Sequence, residues 1–132
     1  MHAQKEYHER RRHPRYTVKN GPIAVLHANS EKILGPIVDV SLTGLCFSYI
    51  DNDREFNRKT GLEVDIKNNG SSREDVPCDV VWTGRAESHS PFNVVRMKKS
   101  GVRFKELHPD LVTWVEDFIA HNSVRMEQEY WA

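Results

Sequence analysis

From residue 22 to residue 104 the chain consists of short apolar runs separated by turn residues, and several of these runs alternate apolar with polar positions. Successive side chains of a strand point to opposite faces, so this alternation predicts strands that bury one face and expose the other. The run LEVDIK at 62–67 alternates most cleanly. Its apolar residues are expected to point inward and its charged residues outward, the latter being Glu63, Asp65 and Lys67. Such runs, without helices between them, are typical of an all-β sandwich or barrel.

Six segments are expected to contain the strands, namely 22–27, 33–40, 44–50, 62–67, 76–83 and 92–104, the last holding one strand or two. In the segment 76–83 the inward face is expected to carry Val76, Cys78, Val80 and Trp82. From Pro109 the apolar spacing changes to that of a helix and continues to residue 131. The fold class is therefore predicted to be all-β: a β-barrel of about six or seven antiparallel strands, closed by a C-terminal α-helix.

The length of 132 residues suits one domain with one core. The expected boundaries are a flexible tail at 1–9, a barrel domain with its closing helix at 10–122, and an extension of the helix at 123–132. No apolar run approaches the roughly 20 residues that a membrane helix needs, and the first residues lack the apolar stretch of a secretory signal. No membrane insertion and a cytoplasmic location are expected. Cys46 and Cys78 are expected to be buried free thiols.

The chain has no net charge, but its charges are unevenly distributed. Residues 1–19 carry six Lys or Arg against two Glu, a net charge of +4, so the other 113 residues carry −4. A basic head on a mildly acidic body indicates a local anionic partner. It argues against a broad basic face, and a nucleic acid is therefore not the expected partner.

Signals of catalysis or of metal binding are weak. The stretch HERRRH at 8–13 is one residue longer than the zinc-protease pattern HExxH, and in a helix His8 and His13 would lie about 140° apart, so they could not share a metal. The remaining histidines are scattered and are expected at the surface. There is no Gly-rich phosphate loop and no well-placed carboxylate pair. No catalytic residue, metal site or cofactor is predicted.

Two short patterns remain, RxxxR at Arg11 and Arg15, and DxSxxG at Asp39, Ser41 and Gly44. Alone, an arginine cluster near a terminus is usually a solvated tail, and Asp-x-Ser-x-x-Gly between strands is usually turn chemistry. In this order, followed by strands, VVW and GVRF, they resemble the signature of the PilZ family. The resemblance covers about residues 10–120.

PilZ domains are small split barrels that bind the bacterial second messenger cyclic di-GMP, so the resemblance implies a non-enzymatic receptor with this ligand. It implies that Arg11 and Arg15 grip the ligand, since guanidinium can fork onto a guanine edge, stack on a base and neutralise a phosphate. It also implies that Asp39 accepts hydrogen bonds from guanine and that Ser41 offers a hydroxyl. Gly44 would either let backbone approach the ligand or hold the turn.

The other two arginines of the cluster are interpreted separately. Arg10 holds the position that, in this family, tends to accompany two intercalated ligand molecules, so a dimeric ligand is favoured. Arg12 lies within the motif and is expected to face solvent.

Three functional hypotheses follow. In the favoured one, the segment carrying the arginines folds over the barrel when cyclic di-GMP binds, and the change regulates an unidentified partner protein. The second is a PilZ-like protein–protein interaction module that does not bind nucleotide. The third, a nucleic-acid binder acting through the basic arm, predicts strongly salt-dependent binding and is disfavoured by the acidic body.

Overall fold

The computed structural model describes residues 13–28, 30–51, 59–86 and 95–124. Within these ranges the chain forms seven strands and one helix: β1 (Tyr16–Thr17), β2 (Ile23–Ala28), β3 (Glu31–Ser41), β4 (Gly44–Ile50), β5 (Leu62–Asn68), β6 (Ser71–Arg85), β7 (Met97–Phe104) and α1 (Pro109–Asn122). The strands pair antiparallel in the order β1-β3-β2-β5-β6-β7-β4, and β3 also pairs with β4. The β3–β4 pairing closes six strands, β2 to β7, into a barrel. The short strand β1 is not one of these six and pairs with the end of β3, at Asp39 and Val40. The predicted barrel with a C-terminal helix is confirmed.

The core of the barrel is built from the inward positions of the alternating strands. Leu26, Phe47, Val64 and Ile66 are completely buried. The helix contributes three buried side chains to the same apolar cluster, namely Leu111, Val115 and Phe118. Full burial of a side chain of this size stabilises a fold by about 1.5–3 kcal/mol, so α1 is held by its apolar stripe.

A bulge in β6 changes the direction of one tryptophan. Val80 pairs with Val102, and the next pair is Trp82 with Gly101, so Val81 has no partner of its own. An extra residue in one strand reverses the side to which the following residues point. Trp82 is therefore 39% exposed, whereas Val80 is buried. The prediction that Trp82 shares the inward face is wrong, because the alternation of the sequence continues through a bulge that it does not reveal.

A second bulge lies opposite Asp65. Two residues of β6 face Asp65, and one of them is Asp75. The backbone angle φ of Asp75 is 58°, a positive value that is uncommon for residues other than glycine. Asp65 accepts the Asp75 N–H at 2.9 Å and lies 2.8 Å from His27 Nε2. Predicted to point outward, Asp65 is nevertheless buried, with 6% of its surface exposed. His27, expected at the surface, is half-buried, and its ring is bound by Asp65.

The helix ends earlier than its spacing predicts. α1 stops at Asn122, and Ser123 is extended, with φ −82° and ψ 152°. Val124 then donates its N–H to the Thr17 oxygen at 2.8 Å, so pairing with the β1 segment replaces helical hydrogen bonds. Residues 125–132 and the tail at 1–9 lie outside the described residues, and the domain boundaries stay predictions.

Both cysteines are buried free thiols, as predicted. Burial, with the neighbouring carboxylate of Asp39, raises the pKa of Cys46 to about 11. Burial, with Asp79 and Glu63, raises the pKa of Cys78 to about 12. In the described part of the chain, no helix combines the length and apolarity needed to span a bilayer.

Candidate functional site

The register of four strands places two rows of residues side by side on the outside of the barrel. In the first row Asp39 pairs with Cys46, Cys46 with Gly101, and Gly101 with Trp82. The second row joins Ser41 to Gly44, Gly44 to Arg103 and Arg103 to Asp79; it lies two residues away from the first row along β3, β4 and β7, and three residues away along the bulged β6. We call these the first row and the second row. They bring both halves of the DxSxxG pattern next to residues from β6 and β7.

A third bulge turns Asp39 outward. The β3–β4 register passes from Ile37 paired with Phe47 directly to Asp39 paired with Cys46, so Val38 is the extra residue. Ile37 and Val40 are both buried in the core, and Asp39 between them is half-buried. Without the extra residue Asp39 would share the inward face of Ile37. The bulge therefore turns this carboxylate toward the outer face of the barrel.

All residues of the two rows except Asp79 border a cavity of about 510 Å³ on the outer face of the barrel. Its volume lies within the range of small-molecule sites. The cavity is lined by His13, Arg15, Asp39, Ser41, Thr43, Gly44, Leu45, Cys46, Val81, Trp82, Gly101, Val102 and Arg103. The cavity thus joins β3, β4, β6 and β7 to the segment that precedes β1.

Charges of both signs act on the floor of this cavity. The Cys46 thiol lies between strands at the centre of the first row, and burial is the main cause of its raised pKa. The Asp39 carboxylate raises this pKa further, whereas the cations of Lys99 and Arg15 oppose the rise. Arg15 and Asp39 therefore face the same region, one as a donor and one as an acceptor.

Ser41 and Gly44 hold the turn between β3 and β4. The Ser41 Oγ accepts the Thr43 N–H at 3.2 Å and lies 3.2 Å from the Thr43 hydroxyl. At Gly44 a Cβ atom would lie 2.2 Å from the Val102 carbonyl oxygen, well inside any allowed contact. The absence of a side chain at Gly44 therefore lets β4 begin close against β7. Of the two roles considered for this glycine, the geometry favours the structural one.

Sequence reasoning missed two prominent side chains of the cavity, Trp82 and Arg103. A Cβ atom on Gly101 would lie 2.1 Å from the Trp82 Nε1, so the indole lies across β7 where this residue has no side chain. Arg103 is 65% exposed, and its guanidinium lies 3.9 Å from the Asp79 carboxylate. The stretches VVW and GVRF, which contain these two residues, were noted in the sequence. Only the pairing of β6 with β7 shows that Trp82 and Arg103 line the same cavity.

The structure brings four of the predicted site residues to one cavity: Arg15, Asp39, Ser41 and Gly44. The other two predicted site residues, Arg10 and Arg11, lie outside the described residues, as does Arg12. Ligand binding by any of them stays a prediction.

The lining suits an anion that also carries flat bases. Arg15 and Arg103 supply cationic forks, Asp39 supplies an acceptor, and Trp82 supplies an aromatic face. No group of three or more His, Cys, Asp or Glu residues with the arrangement of a metal site occurs in the ranges that the structure describes. The arrangement offers cations, a carboxylate acceptor and an aromatic face to a bound molecule.

Comparison with solved structures supports the architecture. The fold is similar to the PilZ domain with c-di-GMP of YcgR from Escherichia coli, with a TM-score of 0.67 and 14% identity, over 85% of this chain and 90% of that one. It is also similar to MrkH, described as a c-di-GMP dependence transcription regulatory factor, with a TM-score of 0.62 and 16% identity, over 84% of this chain and 50% of that one. A third similar structure is the PlzA protein of Borreliella burgdorferi in complex with c-di-GMP, with a TM-score of 0.56 and 10% identity, over 96% of this chain and 60% of that one.

Comparison at the level of sequence gives two results. No curated protein sequence matches this chain. The family model described as PilZ domain matches residues 9–121, which is most of the chain. This chain belongs to the PilZ domain family.

Proposed function

We propose that this protein is a non-enzymatic receptor that binds cyclic di-GMP in the cavity bordered by the first and second rows. The observation that carries the proposal is the meeting of Arg15 with Asp39 and Ser41, which are more than twenty residues away in sequence, around one cavity. Similar structures are described as complexes with the same ligand. Cyclic di-GMP is a compact dianion with two guanines, and the lining offers cations, an acceptor and an aromatic face for these groups.

Each lining residue has a role that follows from its chemistry. Arg15 neutralises a phosphate or forks onto the O6 and N7 edge of guanine. Asp39 accepts the N1–H and N2–H₂ donors of a guanine. Trp82, lying flat across Gly101, offers a face on which a base can stack. Ser41 and Gly44 mainly fix the turn that aims Asp39.

The proposed output is a change in the segment that carries the arginines. Neutralising its clustered positive charge removes repulsion and lets the segment pack over the cavity, which changes the surface offered to a partner protein. Because cyclic di-GMP is a bacterial second messenger, we place this receptor in the bacterial cytoplasm. Arg10, beside Arg11, suggests that two intercalated ligand molecules bind per chain, which a titration would report as a stoichiometry of two.

A calorimetric titration of the full chain with cyclic di-GMP tests the proposal. The wild type is expected to bind, and Arg15→Ala is expected to weaken binding by about 1–3 kcal/mol, which is about 5- to 150-fold in Kd. Arg73→Ala is the matched control, because Arg73 pairs with Asp110 at 2.8 Å and does not line the cavity. Its affinity should equal that of the wild type.

The second candidate function is an interaction module that does not bind nucleotide. It predicts no heat of binding for the wild type with any cyclic dinucleotide, in a protein whose melting curve shows that it is folded. That result would refute the receptor, and wild-type affinity in Arg15→Ala would refute the site.

A further inference from the structure

Arg103 approaches the cavity from the side opposite to Arg15. It lies on β7, whereas Arg15 lies just before β1, and strands β3 and β4 separate them in the sheet. Strands lie about 4.8 Å apart, so the two backbones are separated by three spacings, or roughly 14 Å. Both side chains line the same cavity. The described residues therefore include a guanidinium on each side of it.

The present partner of Arg103 holds it only loosely. The nitrogen Nη2 of Arg103 lies 3.9 Å from the Asp79 carboxylate, beyond hydrogen-bond distance. The Asp79 side chain is 15% exposed and accepts the Gly61 N–H at 3.0 Å, whereas the Arg103 side chain is 65% exposed. The carboxylate is therefore fixed, and the guanidinium can move. A pair at this distance, with one partner exposed, contributes little to the stability of the fold.

The row around Arg103 leaves room for such a movement. Its neighbour on β4 is Gly44, which has no side chain, and two residues before it on β7 is Gly101, which is covered by the Trp82 indole. Arg103 thus lies between a gap in the second row and the aromatic face of the first row. From this position a guanidinium can swing from Asp79 toward a group bound over Cys46.

We infer that Arg103 is a ligand-binding residue that leaves Asp79 and binds the second phosphate of the ligand. This inference rests on the proposed function. The two phosphates of cyclic di-GMP lie on opposite sides of its ring, and a cation on each side of the cavity matches both. Asp79 acts as a competitor for Arg103, so it lowers the affinity of the free protein for the ligand.

The test compares Arg103→Gln with Lys105→Gln in calorimetric titrations of the full chain with cyclic di-GMP. Lys105 is exposed, lies two residues away and does not line the cavity, so its variant removes the same charge without the contact. Arg103→Gln should raise Kd about tenfold or more, as expected for a lost charge-assisted hydrogen bond. Lys105→Gln should change Kd by less than about twofold, because an exposed charge that does not contact the ligand is weakened by water and salt.

Asp79→Asn tests the competition. The amide oxygen of Asn can still accept the Gly61 N–H, but the neutral side chain no longer attracts Arg103. The variant should therefore bind about two- to threefold more tightly than the wild type. A merely structural defect would not raise affinity. In the Arg103→Gln background the same substitution should have no effect, because the competitor has lost its target.

Several results would overturn the inference. They are equal Kd values for Arg103→Gln and Lys105→Gln, or an effect of Asp79→Asn that persists without Arg103. If Arg103→Gln fails to fold, Arg103→Lys keeps the charge but loses the planar fork that gives a phosphate two hydrogen bonds, so its Kd should rise severalfold; wild-type affinity in that variant would overturn the inference. Failure of the wild type to bind cyclic di-GMP would instead refute the proposed function itself, and with it this inference.

Discussion

Replacing Gly101 with alanine should separate the ligand site from the fold. The new Cβ atom would lie 2.1 Å from the Trp82 Nε1, 2.6 Å from Cε2 and 2.7 Å from Cδ1. Ordinary contacts begin at about 3.4 Å, so the indole must move by roughly 1.3 Å. The clashing atoms belong to a partly exposed side chain that can rotate outward, and Gly101 has no positive φ that alanine would strain. The fold should therefore survive, with a stability cost at the lower end of the 1–3 kcal/mol typical of overpacking.

The effect on ligand binding should be larger. Stacking of a base on an aromatic side chain is worth about 1–3 kcal/mol, and a displaced indole would lose this contact. The expected rise in the Kd for cyclic di-GMP is about 5- to 150-fold. Calorimetric titration measures this change, and thermal unfolding measures the stability of the same sample.

Gly84→Ala is the matched control, because Gly84 lies on the same strand as Trp82 and a Cβ atom there would meet nothing within 4 Å. It should bind as the wild type does. If Gly101→Ala binds cyclic di-GMP with unchanged affinity while its melting temperature falls, the indole does not contact the ligand, and the role assigned to Trp82 is refuted.

Three further predictions concern buried groups. Burial raises the pKa of Asp65, but the Asp75 N–H and His27 lower it by more, so the pKa in the folded protein lies below the ordinary value. The stabilisation that this carboxylate provides is therefore present above about pH 4 and is lost as the pH falls through the folded pKa. Asp65→Ala should lower the free energy of unfolding by about 1–3 kcal/mol near pH 7, because the Asp75 N–H loses its acceptor. Urea unfolding at pH 3 should show a smaller decrease, and an equal decrease at both pH values would contradict this account. Cys46 and Cys78, whose pKa values are raised to about 11 and about 12, should resist iodoacetamide at pH 8 in the folded protein and react in urea, since only the thiolate is nucleophilic; rapid labelling of the native protein would show that the thiols are not buried. Because both thiols stay neutral in the fold, they should also lower stability as the pH rises above about 9, where the unfolded thiols ionise.

The sequence predicted the barrel because its physical cause is local. Alternation in segments such as 44–50 and 62–67 decides which side chains enter the core, and the change of period at Pro109 marks the helix. The motif residues Arg15, Asp39, Ser41 and Gly44 were also identified from the sequence, since their types and order resemble a known signature. The sequence does not show how these motif residues are arranged in space.

The faces and neighbours of particular residues were decided by tertiary structure. The extra residues Val38 and Val81 turn Asp39 and Trp82 outward. The local alternation does not predict either bulge, because a bulge depends on how the strand pairs with its partner strand. The end of α1 at Asn122 has a similar cause, since pairing of Val124 with Thr17 involves two residues that are far apart in sequence. Local patterns along the chain are enough to choose the strands of a barrel and to mark the two motifs, whereas the closure of β3 onto β4, with the registers it imposes, selects the residues that line one cavity.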